Sequence, residues 1–182
     1  VQIVEQTVLQ PVIDTLRNNG HEFIGLLYAG LVLTKEGIKV IEFNARFGDP
    51  ETQVLIPRLK TPLAQLLYAA ATEDLSKYAQ LDWIEESAVT VVLASENYPA
   101  EPIINREITG LTNLANQLVF HAGTKTSNGK VISSGGRVLA ATGLGESMEV
   151  ARENAYQLLG KISLVGGHFR KDIALKKIDP AS

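Results

Sequence analysis

The sequence of 182 residues is 45% hydrophobic, carries a formal net charge of −3 and contains no cysteine. A chain of that size and composition buries one good core or a small pair of cores, so a globular protein of one or two domains is expected. Charges of both signs without long runs argue against a nucleic-acid partner, the missing cysteines exclude disulfides and thiolate chemistry, and no apolar run is long enough to cross a bilayer. With no basic-then-apolar leader at the start, the expected compartment is the cytoplasm.

Val1, Val4, Val8, Val12 and Leu16, joined by Leu9 and Ile13, recur at helical spacing and predict a helix ending near Asn18-Asn19-Gly20. His21 follows in a turn. Phe23 to Leu33 reads as a strand containing Gly25 and Gly30, and Thr34-Lys35-Glu36-Gly37 as the turn of a β-hairpin that feeds a buried second strand.

The densest chemistry follows, in Ile41-Glu42-Phe43-Asn44-Ala45-Arg46-Phe47-Gly48-Asp49-Pro50-Glu51-Thr52-Gln53. Side chains alternate along a strand, so Glu42, Asn44 and Arg46 are expected on one face and Ile41, Phe43 and Ala45 on the other. Asp49 suits a helix N-cap and Pro50 the first helical position, ahead of Glu51, Val54, Leu55 and Leu59. A carboxylate and a side-chain amide two residues apart offer two hard oxygens, which suits Mg²⁺ or Mn²⁺ completed by water and phosphate oxygens. The alternative is structural: ion pairs from Glu42 to Arg46 and from Asp49 to Arg58, with Asp49 only capping.

Thr61-Pro62 opens another predicted helix, with Leu63, Leu66, Leu67, Ala70 and Ala71 as core contacts. The polar stretch from Asp74 to Glu86 is the candidate domain boundary, with Trp83 as a packing anchor. Ala88 to Ala94 reads as a buried strand that ends at the breakers Asn97-Tyr98-Pro99. Gln117 to Ala122 is a further strand with Lys125 at its mouth; His121 on it either faces substrate or is a satisfied structural histidine. Val131 to Thr142 reads as a strand interrupted by Ser133-Ser134-Gly135-Gly136. There paired glycines let backbone amides approach an anion and Arg137 can fork onto phosphate oxygens, while a tight hairpin or bulge accounts for the same residues. Met148, Ala151, Ala155, Leu158, Leu159 and Ile162 mark the clearest amphipathic helix, capped by Ser147 and with its methionine in the core; the basic pair Arg170-Lys171 reads as a solvated face.

Four separated stretches occur in order: Tyr28-Ala29-Gly30-Leu31 with Lys39 through Gln53; Val119-Phe120-His121-Ala122-Gly123-Thr124-Lys125; Ser134-Gly135-Gly136-Arg137-Val138-Leu139; and Arg170-Lys171-Asp172-Ile173. Together they closely resemble the phosphoribosylamine-glycine ligases (glycinamide ribonucleotide synthetases), ATP-grasp enzymes of purine synthesis. The resemblance implies an α+β fold in which residues 1–80 form the C-terminal part of an ATP-grasp core, an antiparallel hairpin plus helices. Residues 87–182 then form a small, mostly antiparallel β domain with one long helix.

The same resemblance implies ligation of glycine to 5-phosphoribosylamine through a glycyl phosphate, with ATP as co-substrate. Glu42 and Asn44 match the family's Mg²⁺/Mn²⁺ ligand pair. By charge, Arg46 is expected to meet the transferring phosphoryl group or the glycine carboxylate, and Asp49 or Glu51 a substrate ammonium. Lys125, Gly136 and Arg137 are expected at the ribosyl 5′-phosphate. The parts that clasp adenine and most of the phosphates lie outside such a C-terminal portion, so this fragment is expected to be inactive alone and the full-length enzyme to be a monomer. Two other readings stand beside it. One is a non-catalytic module that binds a small anion or a partner; the other is a different carboxylate-amine ATP-grasp ligase, which would lack Arg-Phe-Gly-Asp-Pro-Glu together with His-Ala-Gly-Thr-Lys.

Overall fold

The computed structural model describes residues 1–111 and 117–175. It divides into two compact units, one of Val1–Asp49 with Lys60–Asp82, the other of Pro50–Leu59 with the chain from Trp83 onward.

The first unit opens on a helical run: α1 (Gln2–Val4), a π-helical stretch Glu5–Leu9 and α2 (Gln10–Asn18). The wide turn lies just ahead of Pro11, whose ring would crowd the carbonyl one turn earlier in a regular helix. Gly20, at φ +78, ends the run where the sequence places its stop. The next strand starts later than expected: β1 spans Tyr28–Thr34, not Phe23 onward. Gly25 sits at φ +148, which interrupts extended pairing before Tyr28.

β1 pairs antiparallel with β2 (Gly37–Asn44) in register Tyr28↔Asn44 and Gly30↔Glu42, and the register shifts between Gly30 and Leu31. Thr34 closes the turn: its hydroxyl accepts from the Glu36 N–H (3.1 Å) and donates to the Gly37 carbonyl (2.9 Å). β2 is not the buried strand that its apolar run suggested, since Ile41 is 70% exposed and Phe43 42%. The hairpin is a two-stranded sheet, and apolar composition alone does not say which face another layer covers. α4 (Leu63–Ala71) follows Pro62 as predicted, with Ala69 buried and Leu67 turned outward. Thr61, 9% exposed, ties the loop before it to the Asp82 N–H through its hydroxyl (2.8 Å).

In the second unit, α3 (Thr52–Arg58) packs on β3 (Ser87–Ala94) and β8 (Arg137–Gly145). α3 and its flanks, Pro50–Leu59, belong to the second compact unit. The Thr142 hydroxyl donates to the Gln53 carbonyl (3.0 Å), and Arg58 to the Ile84 carbonyl (3.2 Å). Trp83 makes a backbone bridge to Leu59 and is 38% exposed, so its ring is only partly an anchor.

β8 is the central strand of a three-stranded antiparallel sheet, flanked by β3 and by β5 (Leu118–His121). The remaining pairs are β4 (Ile108–Thr109) with β9 (Ser163–Leu164), and the hairpin of β6 (Thr124–Ser127) with β7 (Lys130–Ser133). The turn of that hairpin is Asn128-Gly129, both with positive φ, as a tight two-residue loop demands. The expected strand from Val131 to Thr142 is thus split between β7 and β8, which belong to different sheets.

α5 (Met148–Leu159) covers the three-stranded sheet. Ser147 caps it by accepting from the Val150 N–H (3.2 Å), and Ala151, Ala155, Leu158 and Leu159 join Val89, Val91, Leu93, Val138, Leu139 and Ala141 in the core. Met148, expected in that core, is 49% exposed: as the first helical residue it precedes the buried stripe. Strand and helix touch through small residues. A Cβ on Gly143 would stand 2.2 Å from the Ala151 carbonyl oxygen and 2.3 Å from the Ala155 nitrogen. The described strands pair antiparallel throughout, and together with the helices they give the expected α+β architecture, a hairpin with helices and then a β-rich unit under one long helix.

Candidate functional site

The first cluster lies at the end of β2. The Asn44 Nδ2 donates to the Glu42 Oε1 at 2.9 Å, which places both side chains on one side of the strand as alternation predicts. One carboxylate oxygen and the amide Oδ1 lie outside that bond. Glu42 is exposed and Asn44 half-buried. Gly30, opposite Glu42, leaves room for the acid: a Cβ there would come within 3.1 Å of the Glu42 Cγ.

Arg46 lies two residues past the strand end, where alternation no longer fixes its direction, and its Nη1 donates to the Phe47 carbonyl (2.9 Å). Glu42 is therefore bonded to Asn44, and the structural pair Glu42–Arg46 is not what orders this segment. Asp49 is exposed in the turn after it. The helix expected to start at Pro50 with Asp49 as cap starts instead at Thr52, with Glu51 at the N-cap and no side-chain cap bond. The Gln53 N–H reaches the Pro50 carbonyl (3.3 Å) in a tighter turn, so Asp49-Pro50-Glu51 leads into the helix instead of opening it.

Two hard oxygens of different charge fit a divalent cation that keeps water and phosphate in its other positions. Among the described residues no group of three or more His, Asp or Glu is placed to hold a metal by itself. Glu42 and Asn44 offer two such oxygens on one side of the strand.

The second cluster lies around the loops that join β5 to β6 and β7 to β8, which hydrogen-bond to each other. Lys125 is exposed on β6 opposite Ile132, and Arg137, also exposed, is the first residue of β8 opposite Ala94. Their motifs interlock through backbone: the Gly123 N–H donates to the Arg137 carbonyl (2.9 Å) and the Ser134 N–H to the Gly123 carbonyl (2.7 Å). A Cβ on Gly123 would meet the Arg137 carbonyl oxygen at 2.7 Å and the Gly135 Cα at 2.8 Å, so this glycine permits two loops to touch. His121 is exposed and its Nδ1 shares a hydrogen bond with the Thr124 hydroxyl (2.9 Å), beside the same loop. Arg170 forks onto Asp172 (2.7 and 3.0 Å), a hydrogen bond that raises its pKa above the ordinary value, so the C-terminal basic pair is half engaged in its own turn.

Two residues of this second cluster went unread in the sequence. Ser95, 1% exposed, donates its N–H to the Gly136 carbonyl (2.8 Å) and its hydroxyl to the Gly135 carbonyl (2.8 Å). The Tyr98 ring lies against Gly136. The only sequence signal was the breaker run Asn97-Tyr98-Pro99, which marks a loop without saying what it packs on.

The family model described as phosphoribosylglycinamide synthetase, ATP-grasp (A) domain, matches residues 1–52, and that described as phosphoribosylglycinamide synthetase, C domain, matches residues 88–176. The phosphoribosylamine-glycine ligase of Streptomyces coelicolor is 52% identical over 97% of this chain and 44% of its own length, and that of Mycobacterium tuberculosis 47% identical over 95% and 40%. The trifunctional purine biosynthetic protein adenosine-3 of Gallus gallus is 44% identical over 96% of this chain and 18% of its own. A crystal structure of the phosphoribosylamine-glycine ligase of Thermotoga maritima superposes with a TM-score of 0.75 at 34% identity, covering 87% of this chain and 39% of that one. The chain thus spans about two fifths of the bacterial relatives it matches. With both family models matched in order, at about half identity to those relatives, the chain belongs to the phosphoribosylglycinamide synthetase family.

Proposed function

We propose that this chain forms part of an ATP-dependent carbon-nitrogen ligase that joins glycine to 5-phosphoribosylamine, giving glycinamide ribonucleotide, ADP and phosphate. The observation that supports it most is the Asn44–Glu42 pair at the strand end, in a chain of this family. On this reading residues 1–80 are the end of the ATP-grasp domain and 87–182 the β-rich domain. The enzyme is a cytoplasmic monomer with neither nucleic acid nor membrane as a partner.

In such a reaction the γ-phosphoryl group of ATP passes to the glycine carboxylate. The amine then attacks the acyl carbon, a C–N bond forms, and the C–O bond to phosphate breaks with its electron pair leaving on phosphate. Glu42 and Asn44 would hold Mg²⁺ or Mn²⁺, which when bound draws negative charge from the nucleotide phosphates. Arg46, whose guanidinium donates from Nη1 to the Phe47 carbonyl, has further N–H groups for a phosphoryl or carboxylate oxygen.

Asp49 or Glu51 receives a substrate ammonium. A carboxylate beside an amine favours the protonated form, so a further group must take the proton before attack. Asp49→Asn in the full-length enzyme should therefore raise the KM of glycine or of phosphoribosylamine about tenfold. Unchanged KM values for both would remove that role.

Lys125 and Arg137 bind the 5′-phosphate, Arg137 as a bidentate fork and Lys125 as a point charge, with Gly136 in the turn just before Arg137. Each of Lys125→Ala and Arg137→Ala should raise the KM of phosphoribosylamine by about 10- to 100-fold and leave that of glycine unchanged. Equal effects on both substrates would point to a folding defect instead.

A further inference from the structure

We propose that Ser95 and Tyr98 are positioning residues for the Gly135–Gly136 turn and, through it, for Arg137, so that they set affinity for the phosphorylated substrate. This rests on the assignment of Arg137 to the 5′-phosphate made above.

The glycine pair is the starting point. Neither Gly135 nor Gly136 adopts a positive φ, so backbone conformation alone does not demand glycine at either place. Space does. A Cβ on Gly136 would stand 2.4 Å from the Tyr98 Cδ2 and 2.9 Å from Cε2, so the ring fills the volume in which any other side chain would begin. On another side Gly123 presses on Gly135, where a Cβ would lie 3.3 Å from the Gly123 Cα. The turn is therefore gripped between a tyrosine ring and a neighbouring loop.

Ser95 completes the grip with its two hydrogen bonds, to the carbonyls of Gly135 and Gly136. Its own loop is braced, with the Tyr98 N–H on the Ser95 carbonyl (3.2 Å) and the Ala100 N–H on the Asn97 carbonyl (2.8 Å). Two successive glycines are the most mobile backbone a chain can present, and Arg137 is the next residue. A bidentate guanidinium loses its advantage when its Cα is free to move by even an ångström, so fixing the glycines fixes the fork.

Steady-state kinetics of the full-length ligase test this, with Arg137→Ala as reference. Tyr98→Ala should raise the KM of phosphoribosylamine roughly tenfold, with the KM of glycine and kcat within about twofold of wild type. Tyr98→Phe should match wild type, because the ring and not the hydroxyl packs on Gly136. Ser95→Ala should raise the same KM roughly threefold, and it decides the matter if Tyr98→Ala does not fold. Two results overturn the positioning role. One is a phosphoribosylamine KM that responds to Arg137→Ala but not to Tyr98→Ala or Ser95→Ala; the other is an equal rise in both KM values with a lowered Tm. A phosphoribosylamine KM indifferent to Arg137→Ala would overturn the phosphate assignment itself, and that variant alone tells the two failures apart.

Discussion

Replacing Glu42 by Ala in the full-length ligase should lower kcat/KM by about 10²- to 10³-fold at fixed Mg²⁺ and raise the Mg²⁺ concentration needed for half-maximal rate. The expectation follows from position. Glu42 is exposed and accepts from Asn44 in a solvent-exposed hydrogen bond, so its removal leaves no buried group unsatisfied and should leave the fold intact. Asn44→Ala should act in the same direction with a smaller effect, about 10- to 100-fold, because a neutral amide oxygen binds a hard cation less strongly than a carboxylate. The two losses should be less than additive, since both variants disturb one ligand set. Glu42→Ala retaining wild-type kcat/KM, or losing it with no change in metal dependence, would speak for the structural reading of this strand end.

The second large effect concerns stability. Gly143→Val should destabilise the β-rich unit by about 3 kcal/mol or more, because a side chain there meets backbone of α5 that cannot rotate away. The contacts that enforce this are the Ala151 carbonyl oxygen at 2.2 Å and the Ala155 nitrogen at 2.3 Å from the added Cβ. With typical domain stabilities of about 5–15 kcal/mol, such a loss should shift the urea midpoint well downward. Trp83 is the single tryptophan of the sequence and belongs to the same unit, so its fluorescence reports the transition in the 182-residue chain. A midpoint equal to that of wild type would mean that α5 does not lie on β8 at this distance.

Much of this fold is written in periodicity. The stripe of α5, the Ser147 cap, the Asn128-Gly129 turn and the strand from Ala88 to Ala94 are local patterns whose physics is complete within a dozen residues. The misreadings share the opposite property. Whether Ile41 and Phe43 are covered depends on what lies over the hairpin, which the run of apolar letters does not encode. Gly25 stands in a run of strand-like letters that do not announce its φ of +148, and β1 begins only at Tyr28. Asp49 and Pro50 look like a cap and a first helical residue, yet the chain uses them for the turn before Thr52.

The candidate site shows the same division. Glu42 and Asn44 were legible because a strand's alternation ties residues two apart, and the bond between them follows from it. Arg46 lay beyond the last paired residue, so the same rule had no hold on it. Ser95 and Tyr98 are about 40 residues from the turn they grip, and nothing local in the sequence announces a partner at that separation.

On the proposed reading, the carboxylate of Glu42 and the amide oxygen of Asn44 together bind a divalent cation that also carries nucleotide phosphate. The most direct measurement is a crystal structure of the full-length ligase with Mn²⁺ and a non-hydrolysable ATP analogue, with the metal located by its anomalous scattering. The expected result is an anomalous peak about 2.0–2.3 Å from one Glu42 oxygen and from the Asn44 Oδ1, with phosphate oxygens in the same coordination sphere. Manganese bound elsewhere, with Glu42 and Asn44 still hydrogen-bonded to each other and bare of metal, would contradict it.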